Sequence, residues 1–289
     1  MARKVWIEVA LNGFWGRDLQ PNVPVTVDEV IADGIACIRA GAAILHLHAM
    51  DPVTGKQNDD PDIYAAILQG IRAETDGIVY PTMPIDLYPG WTDRYQSAVE
   101  LGRRGLLEWA VVDPGSLNIN AYDFETKQLQ GKGVVYANTD AEIRRGMQLA
   151  AQYKFHPEYA CFEPGFVRLG AAMHRAYPDA PMPIYSFRFA ENMTMGLPPE
   201  EWALDAYLRL LEMEAPGAPW MAASIGGNIT KLIPAIVARG GGVRTGLEDA
   251  PMGSRKSNVD LVNECVQVIR AAGAEPATGH DVRAAMKGG

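Results

Sequence analysis

Short apolar, β-branched runs alternate along this chain with longer stretches of helical period, and this alternation constrains the fold more than any other feature. The runs are KVWIEVAL (from Lys4), AAILHLHA (from Ala42), GIVYPTM (from Gly77), LEWAVVD (from Leu107), YACFEPG (from Tyr159), PIYSFRF (from Pro183), PWMAASIG (from Pro219) and VRTGLED (from Val243). Parallel neighbours cannot be joined by a tight turn, so strand–helix alternation from end to end implies a parallel sheet with helical crossovers. That number of units favours closure into an α/β (β/α)8 TIM barrel over an open sheet. A length of 289 residues suits a single TIM-barrel domain over 1–289, because such barrels run to roughly 250 residues as one unit. No GxGxxG follows the first run, which weighs against a dinucleotide-binding sheet.

The helical stretches carry their own start signals. Thr26 with Glu29 and Thr139 with Glu142 fit the capping box, in which a hydroxyl and a carboxylate satisfy orphan amides of the first turn. Asp60-Pro61 supplies a cap and a first-turn proline, and Ser257 or Asn258 caps the last long helix. Gly41, Gly105, Gly240 and Gly273 are placed to end helices. The stretch from Pro114 to Asn138 is long for a βα loop, and VVYAN within it reads as a small extra strand.

A net charge of −9 argues against a nucleic-acid partner, which needs a basic face. It leaves room for an anionic small substrate in a locally basic pocket. Cys37, Cys161 and Cys265 are far apart and odd in number, which predicts no disulfide framework and a reducing, cytoplasmic setting. The N-terminal run contains Glu8 and reads as a first strand, not a signal peptide.

The sharpest chemical feature is His46-Leu47-His48 at the end of the second run. On a strand, residues i and i+2 face the same way, so both imidazoles project together at the barrel end where active sites sit. Such a pair suits a first-row divalent metal; the alternative is two hydrogen-bonded histidines. A third ligand must come from another strand end, and Glu248 of VRTGLED can supply it. Arg244, four residues earlier, and Asp249 belong to the same cluster, whose alternative reading is an arginine–carboxylate pair at the rim. Glu163 in CFEPG is either a partner of a ligand histidine or an exposed turn residue. Thr82, Asp113 and Ser116 end the third and fourth runs, where such groups commonly satisfy loop backbone. Arg188 in SFRF reads on its own as a solvated rim arginine, His156 as a loop residue, and Met193-Thr194-Met195 as a flexible loop. Gly226-Gly227-Asn228 resembles an anion cradle at a helix start.

GAAILHLHAMDPVTG (from Gly41), FEPG (from Phe162) and GGVRTGLEDAPMGSRKSNVDLVNECVQVIRAAGAEPAT (from Gly241) together resemble the beta-keto acid cleavage enzymes, and the resemblance runs over essentially the whole chain. It implies a zinc-dependent TIM barrel that reacts a beta-keto acid with acetyl-CoA to give acetoacetate and a new acyl-CoA. It implies zinc on His46, His48 and Glu248, with Asp249 as base and Arg244 beside it. It also implies Glu163 in the site lining and a homo-oligomer, often a tetramer. The sequence departs from the family pattern on the substrate side. Met50 replaces the arginine of HxHxR, Pro81-Thr82-Met83-Pro84 replaces a glycine-rich turn, and Asn12-Gly13-Phe14-Trp15 follows the first strand. Asp113 stands for an asparagine, as does Ala250. Thr82, Ser116, Met50 and Glu163 are therefore the expected substrate-facing residues. The departures leave a CoA-independent, metal-dependent hydrolase or aldolase-like lyase as the alternative reaction.

Overall fold

The computed structural model describes residues 2–84 and 93–287. Its main sheet has eight parallel strands: β1 (Ile7–Ala10), β2 (Ile44–Leu47), β3 (Ile78–Pro81), β4 (Trp109–Val111), β5 (His156–Cys161), β6 (Ile184–Ala190), β7 (Trp220–Ile225) and β8 (Gly242–Thr245). Hydrogen-bonded neighbours run β3-β2-β1-β8-β7-β6-β5-β4. The two end strands, β3 and β4, lie beside one another, so the sheet curls into a nearly closed TIM barrel. All eight expected strands form.

The crossovers are helices α1 (Val27–Ala40), α2 (Pro61–Glu74), α3 (Gln96–Arg103), α4 (Asp140–Tyr153), α5 (Pro164–Ala176), α6 (Glu201–Glu214), α7 (Ile233–Arg239) and α8 (Asn258–Ala271). A ninth helix, α9 (Gly279–Lys287), follows. The capping boxes at Thr26 and Thr139 form as expected, and Ser257 forms a third with Asp260. Each helix turns an apolar stripe onto the outside of the sheet; on α8 it is Val262, Cys265, Val266 and Ile269. Withdrawing one such side chain from water stabilises by about 1.5–3 kcal/mol, and repetition around the ring holds the layer in place. Lys4–Val5 pairs in parallel with Glu275–Pro276, tying the start of the barrel to the segment after α8.

Two local expectations are corrected. His156 opens β5 and is not in a loop, because its backbone amide bonds to the Glu108 carbonyl and continues the ladder from β4. The extra structure after β4 is more than a short strand. It is an antiparallel hairpin of Leu117–Asp123 with Gln128–Tyr136. Its second strand is exposed over most of its length, so it lacks the apolar alternation by which strands are recognised.

The barrel interior is unusual in being polar where branched apolar layers are the norm. Glu8, Ser186, Arg188, Glu158 and Arg244 are all buried within it. Arg244 and Glu8 are register partners on β8 and β1. Charge is costly to bury without a use or a partner, so this layer directs attention to the strand ends above it.

Candidate active site

Every barrel strand, at or just after its C-terminal end, contributes to one cavity. His46 and His48 come from β2, Thr82 and Met83 follow β3, Asp113 follows β4, and Phe162 follows β5. Met193 and Met195 follow β6, Ile225 ends β7, and Arg244, Glu248 and Asp249 come from β8 and the turn after it. The methionines read from sequence as a flexible loop are thus part of the cavity wall.

His46 Nε2 lies 3.5 Å from Glu248 Oε2, and His48 Nε2 lies 3.5 Å from Glu248 Oε1. One ligand atom from each of the three residues falls within 4.8 Å of the other two. Among the described residues, buried His48 Nε2 and Glu248 Oε2 have no hydrogen-bond partner, though Arg244 Nη2 stands 3.3 Å from Glu248 Oε2. Three convergent N and O ligand atoms at one end of the cavity fit a divalent metal site. The electrostatics agree. Burial pushes His46 well below its ordinary value, with help from Arg244, His48 and Arg188 against the pull of Glu248, so the ring stays neutral with a free lone pair. Burial would raise Glu248, but Arg244, His46 and His48 outweigh it and hold the carboxylate well below the usual range. The guanidiniums of Arg188 and Arg244 face the carboxylates of Glu8, Asp113, Glu158, Glu248 and Asp249. Among the described residues, carboxyl groups outnumber guanidiniums here, and a divalent cation would offset the charge of those that ionise.

The loops that aim these ligands are specified residue by residue. Asn12 clamps the His48 backbone, accepting from its N–H at 2.9 Å and donating to its carbonyl at 2.9 Å. His48 Nδ1 lies 2.8 Å from Gln57 Oε1. Gln57 Nε2 in turn donates to Asp59 at 2.8 and 2.9 Å, and the Tyr64 hydroxyl donates to Asp59 at 2.8 Å. With its amide nitrogen committed to Asp59, Gln57 offers His48 an acceptor, which places the ring proton on Nδ1 and the lone pair on Nε2. Sequence reasoning missed this relay, because a glutamine in a polar loop carries no signal of its own. Gln57→Leu should lower divalent-metal affinity about 10- to 100-fold; competition with a chromogenic chelator measures it.

Gly246 makes the turn that presents Glu248. Its φ is +129°, and a side chain there would run into the Ala10 carbonyl oxygen. Leu247 N–H donates to Asn258 Oδ1 at 2.8 Å, and Trp15 Nε1 donates to the Glu248 carbonyl at 3.0 Å. Gly246→Ala should therefore cost at least ~2 kcal/mol of stability, read from denaturant unfolding.

Beside the triad, Arg244 donates from Nε to Asp249 Oδ2 at 2.7 Å and from Nη2 to Asp249 Oδ1 at 3.2 Å. Its Nη1 donates to Glu8 Oε1 at 2.8 Å, and Tyr80 donates to the same oxygen at 2.9 Å. Burial and the adjacent Glu248 raise the Asp249 carboxyl above its ordinary value, while Arg244 opposes them. The pair read as a possible rim contact is instead buried.

Of the expected substrate-facing residues, Thr82 lines the cavity and the other three are not among its lining residues. Ser116 Oγ donates to the Asn138 carbonyl at 2.9 Å and accepts from Asn138 N–H at 2.8 Å, closing the base of the hairpin. Glu163 Oε1 accepts from Gly196 N–H at 2.9 Å and anchors the loop after β6. Met50 is buried in a short bridge to Gln57. The Gly226-Gly227-Asn228 segment is followed by a single turn of 3-10 helix, whose Thr230 amide is already taken by the Asn228 side chain at 2.9 Å. Arg188, read as a rim residue, is inside the barrel with 3 % exposure, because its partner Glu158 sits on the neighbouring strand. Burial pushes the Glu158 carboxyl up to about 8 against the pull of Arg188.

No helix among the described residues is long and apolar enough to cross a membrane. A family model for beta-keto acid cleavage enzymes matches residues 4–287. The chain is 27% identical to a 3-oxoadipate:acetyl-CoA acetyltransferase of Cupriavidus necator, over 99% of this chain and 95% of that one. It is 26% identical to a 3-dehydrocarnitine:acetyl-CoA trimethylamine transferase of Rhizobium meliloti, over 99% and 97%. The solved structure of apo ObcA superposes with a TM-score of 0.71 at 15% identity, covering 92% of this chain and 66% of ObcA, and so shares the fold. With the match running nearly end to end, this chain is an enzyme of the beta-keto acid cleavage enzyme family.

Proposed function

We propose that this enzyme binds zinc through His46, His48 and Glu248 and transfers acyl groups between a beta-keto acid and acetyl-CoA, giving acetoacetate and an acyl-CoA. The observation that carries the reading is the meeting, on one cavity, of three convergent metal-ligand side chains and a buried Arg244–Asp249 pair. When bound there, the metal supplies a Lewis acid for the keto and carboxylate oxygens and offsets charge developing on them. Asp249, with its affinity for protons raised by burial, takes the proton from the carbon between the two carbonyl groups. Arg244 holds that carboxylate in place and balances its charge as the proton moves. Phe14, Trp15 and Met83 give the cavity an apolar wall against which the substrate can pack.

A panel of beta-keto acids assayed with and without acetyl-CoA, and monitored for acyl-CoA, tests the reading. Acyl-CoA formed only when both substrates are present supports it. Turnover indifferent to CoA would assign the site instead to a CoA-independent hydrolase or aldolase-like lyase. Assembly as a homo-oligomer, a tetramer by the family resemblance, belongs to the same proposal. Light scattering should then give about four times the 31.4 kDa chain mass, and a monomer would contradict it.

A further inference from the structure

Arg188 is a buried cation in this site that its protein neighbours leave partly unused. It projects from the middle of β6 into the barrel and lines the same cavity as the triad. Its Nη2 donates to Glu158 Oε1 at 2.7 Å, whereas Nη1 is buried with no hydrogen-bond partner among the described residues. Arg244, by contrast, spends Nη1 on Glu8 and divides Nε and Nη2 between the oxygens of Asp249. A buried guanidinium N–H with no acceptor is costly, and such a group in a native structure calls for an explanation, such as a functional role or a bound water or ion. Ala160, two residues beyond Glu158 on β5, lines the cavity with only a methyl group, so that position of the strand offers Nη1 no side-chain acceptor. Burial and Arg244 work against the charge on Arg188, and Glu158, Asp249 and Glu8 outweigh them, so it stays a cation. It is near enough to influence both His46 and Asp249. The walls above, formed by Met83, Val111, Ile119, Phe162, Met193 and Met195, are apolar.

We propose that Arg188 is a second anchor for the anionic head of the substrate, its Nη1 donating to a carboxylate or keto oxygen turned away from His46, His48 and Glu248. The proposal rests on the reading of this cavity as a beta-keto acid site. The planar fork of arginine suits the task, since one edge can stay on Glu158 while the other grips the ligand. Lysine would offer a point charge and lose one of the two contacts. The head is then held from two sides, and the tail runs along a mainly apolar wall. Arg188 is a binding and positioning residue in this scheme, and the proton transfer remains with Asp249.

Malonate is the probe, because its two carboxylates present oxygens at the spacing of a beta-keto acid and it lacks the keto group. It is titrated calorimetrically into the zinc-loaded full-length protein, with zinc content measured in every sample. Wild type should bind malonate, and Glu158→Gln with Arg188→Gln, a pair that removes both charges and leaves polar side chains, should bind it about 10- to 100-fold more weakly at equal zinc content. Arg188→Lys, which keeps the charge and so guards against a folding defect in the double variant, should also lose affinity, and should raise KM for any turned-over beta-keto acid more than it lowers kcat. Equal malonate affinity in wild type and these variants, or no malonate binding to wild type, would overturn the proposal. Arg188-dependent malonate binding with no acyl-CoA formed from any beta-keto acid would count against the acyl-transfer reading alone and uphold this one.

Discussion

Asp249→Asn is expected to lower turnover about 1,000-fold while leaving zinc bound. The substitution keeps the shape of the side chain, and its amide oxygen can still accept from Arg244, which now makes bidentate contact at 2.7 and 3.2 Å. What disappears is the capacity to hold a proton, and a positioned general base contributes typically 10²- to 10⁴-fold. The three metal-ligand side chains are untouched, so metal content measured alongside kcat should stay near the wild-type value. Unchanged turnover in this variant would remove Asp249 from the chemistry. A variant that loses zinc along with activity would mean that the carboxylate acts through the metal site instead.

His46→Ala should behave differently, losing metal and activity together. His46 is buried, its neutral ring is enforced by its surroundings, and Glu248 lies 3.5 Å from its Nε2. Removing one of three protein ligands leaves a site that no longer closes around a tetrahedral ion, and zinc binding of this kind is worth many kcal/mol. Dialysis against a chelator should strip the variant under conditions in which wild type keeps its ion, and turnover should fall below detection. The contrast between the two variants is the informative part. One separates the base from the metal, and the other shows that the reaction needs the metal at all.

Much of this architecture was legible in the sequence, because the features that specify it are local. Each strand is a short apolar run, each capping box is spelled within four residues, and the two histidines share a face by virtue of strand period alone. Convergence of β2 with the turn after β8 followed from closure of the sheet, which brings distant strand ends to one opening. What escaped was set by tertiary pairing. Nothing near Arg188 in the sequence announces that Glu158, on the next strand, draws it inside. Glu8 sits in the first apolar run with no sign that Arg244 and Tyr80 will meet it there. Ser116 and Glu163 occupy strand ends, where substrate contacts are expected, yet each bonds to loop backbone. Position along a strand predicts which end of the barrel a residue reaches, but not which way its side chain turns once the loops are in place.

X-ray absorption at the zinc edge of the reloaded wild-type protein tests the central claim most directly. The account predicts about one zinc per chain, with scattering from two imidazoles at roughly 2.0–2.1 Å and a carboxylate oxygen at roughly 2.0–2.2 Å. A first shell without imidazole, or one dominated by sulfur, would contradict it.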